Sequence, residues 1–184
     1  MRKVINSTYI TLDGVIVNPQ DWPSSGISDD TGGIIQTELL QACDAVLMGK
    51  YTYEAFAAVW QSRSGDPYTD RINHISKYVV SSTLKNPTWN NTTVISGDPV
   101  EHIARLKQEP GLDIVQYGFG PLSHAMMERG LIDELRLWVY PVILGKSAPE
   151  GLLYRNTSTR QLNLVNTKPL KTGVVILTYQ VGGD

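Results

Sequence analysis

At 184 residues, 41% hydrophobic and 18% charged, the chain has the size and composition of one soluble domain, residues 1–184, with a sizeable core. Sixteen basic against 18 acidic residues leave a net charge of −2, with no basic footprint for nucleic acid or an anionic membrane. The single cysteine, Cys43, excludes an internal disulfide framework and every multi-cysteine zinc site, and His74, His102 and His124 are too scattered to rebuild one, so no metal is expected.

In chain order, residues 4–10 read as an opening strand. Asn6, Ser7 and Thr8 interrupt the apolar core that a signal peptide would need, and no later stretch reaches the length of a membrane span. A cytoplasmic protein is the expectation. After the turn-prone pair Asp13-Gly14 comes a polar loop, residues 18–33. It holds Pro19, Pro23, Gly26, Gly32 and Gly33, too many breakers for a helix or a central strand. Residues 34–42 fit a helix with Ile35, Leu39 and Ala42 on one side. Residues 44–48 form a short apolar run ending at Gly49, the length of a buried strand. Residues 52–60 return to helix, with Thr52 as N-cap.

Residues 62–70 are polar and read as loop. Strands follow at 78–81 and 92–96, then an amphipathic helix behind Pro99, stopped at Pro110-Gly111. Residues 113–117 make another strand, Gly118-Phe119-Gly120 a turn, and residues 121–129 a helix ended by Gly130. The last third is β-rich, with a long run at 134–144 and two strands at 161–167 and 174–181. The final strand is apolar on both alternating faces, as expected inside a sheet. The pattern is a βα-alternating half followed by an antiparallel finish, hence a mixed sheet in one α/β domain.

Two strand-to-helix turns could carry chemistry, one at Gly49-Lys50-Tyr51-Thr52 and one at Gly118-Phe119-Gly120-Pro121-Leu122. Each offers backbone N–H groups at a helix N-terminus, a natural anion site, and two of them could hold the separate phosphates of one dinucleotide. Lys50, with the hydroxyls of Ser81 and Ser82 after a neighbouring strand, could bind a ribose 2′-phosphate. Read singly, the glycines fit tight turns equally well, and the serines fit the end of a strand. Gly118-x-Gly120-x-x-Ser123 also lacks the third glycine of the Rossmann fingerprint.

Taken together and in order, four segments resemble the dihydrofolate-reductase-like superfamily. The match is nearest to the reductase domain at the C-terminus of the bifunctional riboflavin-biosynthesis deaminase–reductase. The segments are Ser7-Thr8-Tyr9-Ile10-Thr11-Leu12-Asp13-Gly14, Asp44-Ala45-Val46-Leu47-Met48-Gly49-Lys50-Tyr51-Thr52-Tyr53-Glu54, Lys77-Tyr78-Val79-Val80-Ser81-Ser82-Thr83-Leu84, and Gly118-Phe119-Gly120-Pro121-Leu122. The last leads on to Gly130-Leu131-Ile132-Asp133-Glu134-Leu135 and Pro141-Val142-Ile143-Leu144-Gly145.

The resemblance implies a three-layer fold with a mostly parallel mixed sheet and an antiparallel C-terminal part. It also implies an NADPH-dependent reductase of a small-molecule substrate, commonly a homodimer, acting in riboflavin biosynthesis or a related pathway. Carried over by position, Gly49, Lys50 and Thr52 would meet the adenosine-side phosphates. Ser81 and Ser82 would lie near the 2′-phosphate, and Gly118, Gly120, Pro121 and Leu122 would line the pyrophosphate turn. Thr11, Asp13 and Gly14, with the strand before them, would border nicotinamide and substrate. The family usually has arginine where Lys50 stands; lysine keeps the charge but loses the bidentate fork. The loop 146–151 replaces the family's short glycine-rich turn.

For the proton donor, Asp29 and Asp30 stand just before the first helix, although acids there also suit the helix dipole. Trp22, in the breaker-rich loop, could stack on a planar substrate ring or simply pack at the rim. His124 reads as a helix-surface residue and Cys43 as a small buried hydrophobe. One cysteine cannot supply the zinc ligands of a deaminase half. The alternatives are a dihydrofolate- or pterin-type reductase, and a non-catalytic nucleotide-binding dimer of the same fold.

Overall fold

A computed structural model describes residues 1–27, 29–154 and 158–182. It contains β1 (Val4–Thr11), α1 (Thr31–Gln41), β2 (Cys43–Gly49), α2 (Lys50–Trp60), α3 (Pro67–His74), β3 (Ser76–Val80) and β4 (Thr92–Ile95). These are followed by α4 (Pro99–Gln108), β5 (Asp113–Tyr117), α5 (Pro121–Glu128), β6 (Glu134–Tyr140), β7 (Leu162–Pro169) and β8 (Val175–Val181). The strands form one eight-stranded mixed sheet in the order β4-β3-β2-β5-β1-β6-β8-β7. The pairs β3–β4, β2–β3 and β2–β5 are parallel, whereas β6–β8 and β7–β8 are antiparallel. The chain divides into two compact units, Met1–Ile5 with Gly33–Tyr117, and Asn6–Gly32 with the residues from Gly118 onward.

The first unit is the βα-alternating half. Its core gathers Leu39 and Leu40 from α1, Val46 and Met48 from β2, Ile72 from α3, Val79 from β3 and Val115 from β5, all nearly excluded from solvent. Truncating one of the leucines to alanine in such a core typically costs about 2–5 kcal/mol. Cys43 is buried there as a small hydrophobe. Its carbonyl accepts a bond from the Arg71 guanidinium. Near the N-terminus, Arg2 pairs with Asp44 and donates to the Leu112 carbonyl at 2.6 Å, while Asp44 accepts the Leu112 N–H at 2.8 Å.

The second unit carries the antiparallel finish. β8 lies between β6 and β7, the interior position its two apolar faces imply, although several of its residues are only partly buried. β7 is the edge strand and is mostly exposed.

The sequence pattern and the structure differ in several places. α1 begins at Thr31 and takes Gly32 and Gly33 into its first turn, inside the stretch 18–33 read as loop. Residues 62–70, read as loop, end in the start of α3. Asp66 caps that helix by accepting the Tyr68 and Thr69 N–H groups at 3.1 and 3.0 Å, and Pro67 stands at the first helical position. β6 stops at Tyr140 rather than running to residue 144, because Pro141 has no N–H to extend a ladder. α2 begins at Lys50, so its N-cap is Gly49 and not Thr52, and no side chain caps it.

Lys77 is fully buried in β3. Its Nζ donates to the carbonyls of Ile75, Asn90 and Asn73 at 2.9, 3.0 and 3.3 Å, and lies 4.6 Å from the centre of the Trp89 ring. A buried cation needs such a cage, and burial pulls the amine down to about 8. Lys77→Met should destabilise the protein by about 2–4 kcal/mol at neutral pH, since it strands three carbonyls. The pH dependence follows from the lowered value. Between about pH 8 and the ordinary value of 10.5 the unfolded chain binds more protons than the folded one, so wild-type stability rises with pH in that window. Urea denaturation of both proteins at pH 7, 9 and 10 checks it. The difference between wild type and Lys77→Met should widen with pH; a constant difference contradicts the buried cation.

Candidate functional site

In the first unit, the register sets the geometry. Gly49 pairs with Val80 across the parallel ladder, so Lys50 and Ser81 leave the same end of adjacent strands. Met48 pairs with Tyr117, the last residue of β5. Lys50 opens α2 and its Nζ donates to Thr83 Oγ1 at 3.1 Å, with the Glu54 carboxylate 3.8 Å away one turn along. Ser81 Oγ accepts the N–H groups of Thr83 and Leu84 at 3.1 and 2.9 Å, which folds the segment after β3 back beside Lys50. Ser82 is exposed, and Thr52 sits partly buried in the first turn of α2. The structure thus brings Gly49, Lys50, Thr52 and Ser81 to one strand end, and adds Thr83, which the sequence reading passed over. A third hydroxyl directly after Ser81-Ser82 was the available signal.

The glycines of the two turns serve different purposes. Gly118 has φ +79°, the left-handed region that favours glycine, and it shapes its turn. Gly49 (φ −79°) and Gly120 (φ −171°) have backbones any residue can adopt, and a Cβ built on either meets nothing within 4 Å. Their conformations do not require glycine. Its presence leaves open the space in front of the first N–H groups of α2 and α5, which have no intrahelical partner.

In the second unit, the polar run of β1 is buried and fully employed. Asn6 Nδ2 donates to the Gly118 carbonyl at 2.9 Å and pins the second turn, while Thr8 donates to Asn6 Oδ1 at 2.8 Å. Ser7 Oγ accepts the Trp138 indole N–H at 3.1 Å. Behind Gly118, Pro121 stands at the first position of α5 and Leu122 is partly buried. Ser123 Oγ reaches back to the Gly120 N–H at 3.4 Å. A cavity of about 200 Å³ lies beside α5, lined by Phe119, His124, Met127, Leu135 and Leu153, with Arg160 and Glu128 paired at its rim. His124 packs edge-on against Phe119 at 4.9 Å, a packing contact more than a surface position.

Thr11, Asp13 and Gly14 do come together at the end of β1. Asp13 accepts from the Thr11 hydroxyl at 2.5 Å and from the Gly145 and Leu144 N–H groups at 2.8 and 3.1 Å. Those bonds, the Thr11 hydroxyl foremost, hold its carboxyl below the ordinary value of 3.8. Gly14 (φ +86°) accepts the Leu153 N–H at 2.9 Å, and the Tyr154 ring lies 3.9 Å from where a Cβ would stand. Asp13 is therefore a tie between the end of β1 and the segment after β6.

Asp29 accepts the N–H groups of Thr31 and Lys171 at 3.0 and 2.9 Å. With the Thr31 hydroxyl as the largest cause, these bonds lower its pKa. A carboxyl that is ionised and supplied with donors is a structural acceptor, not a proton donor. Asp30 beside it is exposed. Trp22 is buried, donates to the Val17 carbonyl at 3.1 Å and sets its edge against Tyr140 at 5.3 Å, in keeping with the packing alternative of its two readings.

The RibD C-terminal domain family matches residues 2–176. The chain belongs to that family. It is 30% identical over 187 residues to YyaP of Bacillus subtilis, an uncharacterized protein, covering 99% of this chain and 96% of that one. Among solved structures, a Shewanella protein provisionally assigned to riboflavin biosynthesis superposes over 100% of both chains, with a TM-score of 0.72 and 21% identity. The Thermotoga maritima diaminohydroxyphosphoribosylaminopyrimidine deaminase/5-amino-6-(5-phosphoribosylamino)uracil reductase matches 98% of this chain and 57% of its own, with a TM-score of 0.66 and 17% identity. These structures share the fold: an α/β mixed sheet, mostly parallel, with antiparallel C-terminal strands. Among the described residues, no helix is long and apolar enough to cross a membrane, and no cluster of His, Cys, Asp or Glu could hold a metal ion.

Asp13→Ala should speed amide exchange at Leu144 and Gly145 and lower the melting temperature at pH 7. Because the Asp13 pKa is lowered, its contribution is complete above the ordinary carboxylate range and is lost as pH falls through the folded-state value. The acid limb of the wild-type stability curve should be steeper than that of Asp13→Ala. Parallel limbs and unchanged exchange would remove the tie.

Proposed function

We propose that the protein is an NADPH-dependent reductase of a small carbonyl- or imine-bearing molecule, of the kind named for the Thermotoga maritima relative. The observation that carries this reading is the open helix N-terminus behind Gly49, a glycine that the backbone does not require, with Lys50, Ser81 and Thr83 gathered beside it. Unpartnered N–H groups and a helix dipole suit phosphate oxygens. The donor set fits a phosphate-rich dinucleotide. Lys50, Thr83 and Ser81 offer one ammonium and two hydroxyls around the first turn, for the adenosine-side 2′-phosphate. In the second unit, the N–H groups of Leu122 and Ser123 behind Gly120 suit a phosphate group as well.

Reduced nicotinamide, when bound, supplies the hydride, and the protein's own work is to bind, orient and manage a proton. Asn6 holds the Gly118 peptide in place, and Asp13 fixes the Thr11–Gly14 end of β1. Both are positioning residues. The occupied carboxylate of Asp29 disfavours a dihydrofolate-type mechanism that draws its proton from an acid at the start of the first helix.

Fluorescence titration with NADPH and NADH tests the reading. Wild type should bind NADPH well below millimolar concentration and NADH more weakly. Lys50→Ala should weaken NADPH by about 1.5–3 kcal/mol, a charged hydrogen bond, or roughly 10- to 100-fold in Kd. NADH affinity should change less than about twofold, because NADH lacks the group Lys50 would hold. Equal losses for both cofactors refute the role of Lys50; no binding of either at millimolar concentration refutes the reductase.

A further inference from the structure

The cavity beside α5 takes no part in the proposed reduction. Its floor is Leu135 of β6, which is buried, and its walls are the half-buried side chains of Phe119, Met127, Leu153 and Leu162. Side chains alternate along a strand, so Leu135 points away from Trp138 and Tyr140. The cavity therefore lies on the face of β6 opposite the Trp138–Ser7 bond. At about 200 Å³ it exceeds the cavities of about 150 Å³ that hold a benzene ring, with room for roughly two or three more atoms. Its wall is aromatic where His124 stands edge-on to Phe119 at 4.9 Å. Such a wall favours an aromatic guest through edge-to-face and offset contacts.

The rim carries a cation. Ser158 Oγ donates to the Glu128 carboxylate, lying 2.7 and 2.9 Å from its two oxygens, and Arg160 Nη2 reaches the same group at 3.4 Å. Glu128 is thus well supplied with donors. Arg160 uses one nitrogen on a long contact, and among the described residues its other guanidinium donors meet no acceptor. A guanidinium presents five donors in a planar fork that grips a carboxylate through two parallel bonds. We propose that the cavity is a second binding site, for a small aromatic carboxylic acid whose ring lies on Leu135 and whose carboxylate meets Arg160. A neutral molecule of the same shape leaves the guanidinium fork without a charged partner, and a cation is repelled by it.

The acid binds without reacting, and its effect is exerted through two walls of the cavity. Phe119 is the middle residue of the Gly118–Gly120 turn. The Leu153 N–H donates to the Gly14 carbonyl at 2.9 Å, at the end of β1. A ring packed between Phe119 and Leu153 restrains both segments, and its carboxylate adds a second hold on Arg160, already tied to the last turn of α5 through Glu128. The acid is an effector of the second unit's candidate residues, whatever reaction they serve.

Phenylacetate, phenylacetamide and phenethylamine share one ring and differ in charge, which makes them the probes. In methyl NMR titrations of the whole chain, phenylacetate should bind with a Kd of about 0.1–1 mM and shift the methyls of Met127, Leu135 and Leu153. Phenylacetamide should bind about tenfold more weakly, and phenethylamine more weakly still. Arg160→Gln should weaken phenylacetate about tenfold and leave phenylacetamide within about twofold. Leu162→Trp, which fills the cavity from the start of β7, should abolish binding of both, with an unchanged circular dichroism spectrum. Should that variant not fold, Arg160→Gln, at an exposed position, still decides the matter. Bound phenylacetate should also slow amide exchange at Leu153. No phenylacetate binding by about 10 mM, shifts confined to other methyls, or equal affinities for acid and amide overturn the proposal. None of these readouts uses NADPH, so the site and the reductase function stand or fall separately.

Discussion

A parallel strand that hands the chain straight into a helix leaves the first N–H groups of that helix without partners at the strand's carboxyl end. Most of the candidate chemistry depends on how the protein treats that constraint. At α4, after β4, and at α3, which follows α2 and not a strand, it supplies ordinary caps, Asp98 and Asp66, each accepting two N–H groups from the first turn. At α2 and α5 it supplies glycine and no side-chain cap. The contrast within one chain is informative, because capping residues typically contribute about 1 kcal/mol each. Leaving two helices without that contribution makes sense where the N–H groups have another use.

The buried polar face of β1 serves the same end. Asn6, Ser7, Thr8 and Thr11 are almost fully excluded from solvent. Buried hydroxyls and amides are costly unless paired, and hydrogen bonds tie them to the Gly118 turn, to Trp138 and to Asp13. β1 therefore organises the second unit's candidate residues instead of merely filling a core. Its C-terminal end is held from the other side by the segment after β6, through Asp13 and through the Leu153–Gly14 bond.

Much of this was legible in the sequence, for identifiable reasons. The parallel strands were visible because short apolar runs end at glycine, and β5 was bounded correctly at 113–117. Gly49, Lys50, Ser81 and Gly118 were legible because their spacing matches a family pattern. α3 was hidden by its polar composition, although Asp66-Pro67 is a helix-start signal. The roles of Asp13 and Asp29 could be read only in part: Thr11 and Thr31 lie two residues away, but the other donors, at Leu144, Gly145 and Lys171, lie more than 130 residues away. Trp22 was equally opaque. An indole in a breaker-rich loop gives no hint that its edge will meet Tyr140.

Amide hydrogen exchange in the presence and absence of saturating NADPH tests the central claim most directly. Uncapped N–H groups at the start of a helix exchange fast unless something covers them. NADPH should slow exchange at Lys50, Tyr51 and Thr52 and at Leu122 and Ser123, while the side-chain-capped starts of α3 and α4 stay unchanged. Exchange at both glycine turns that is indifferent to NADPH would contradict it.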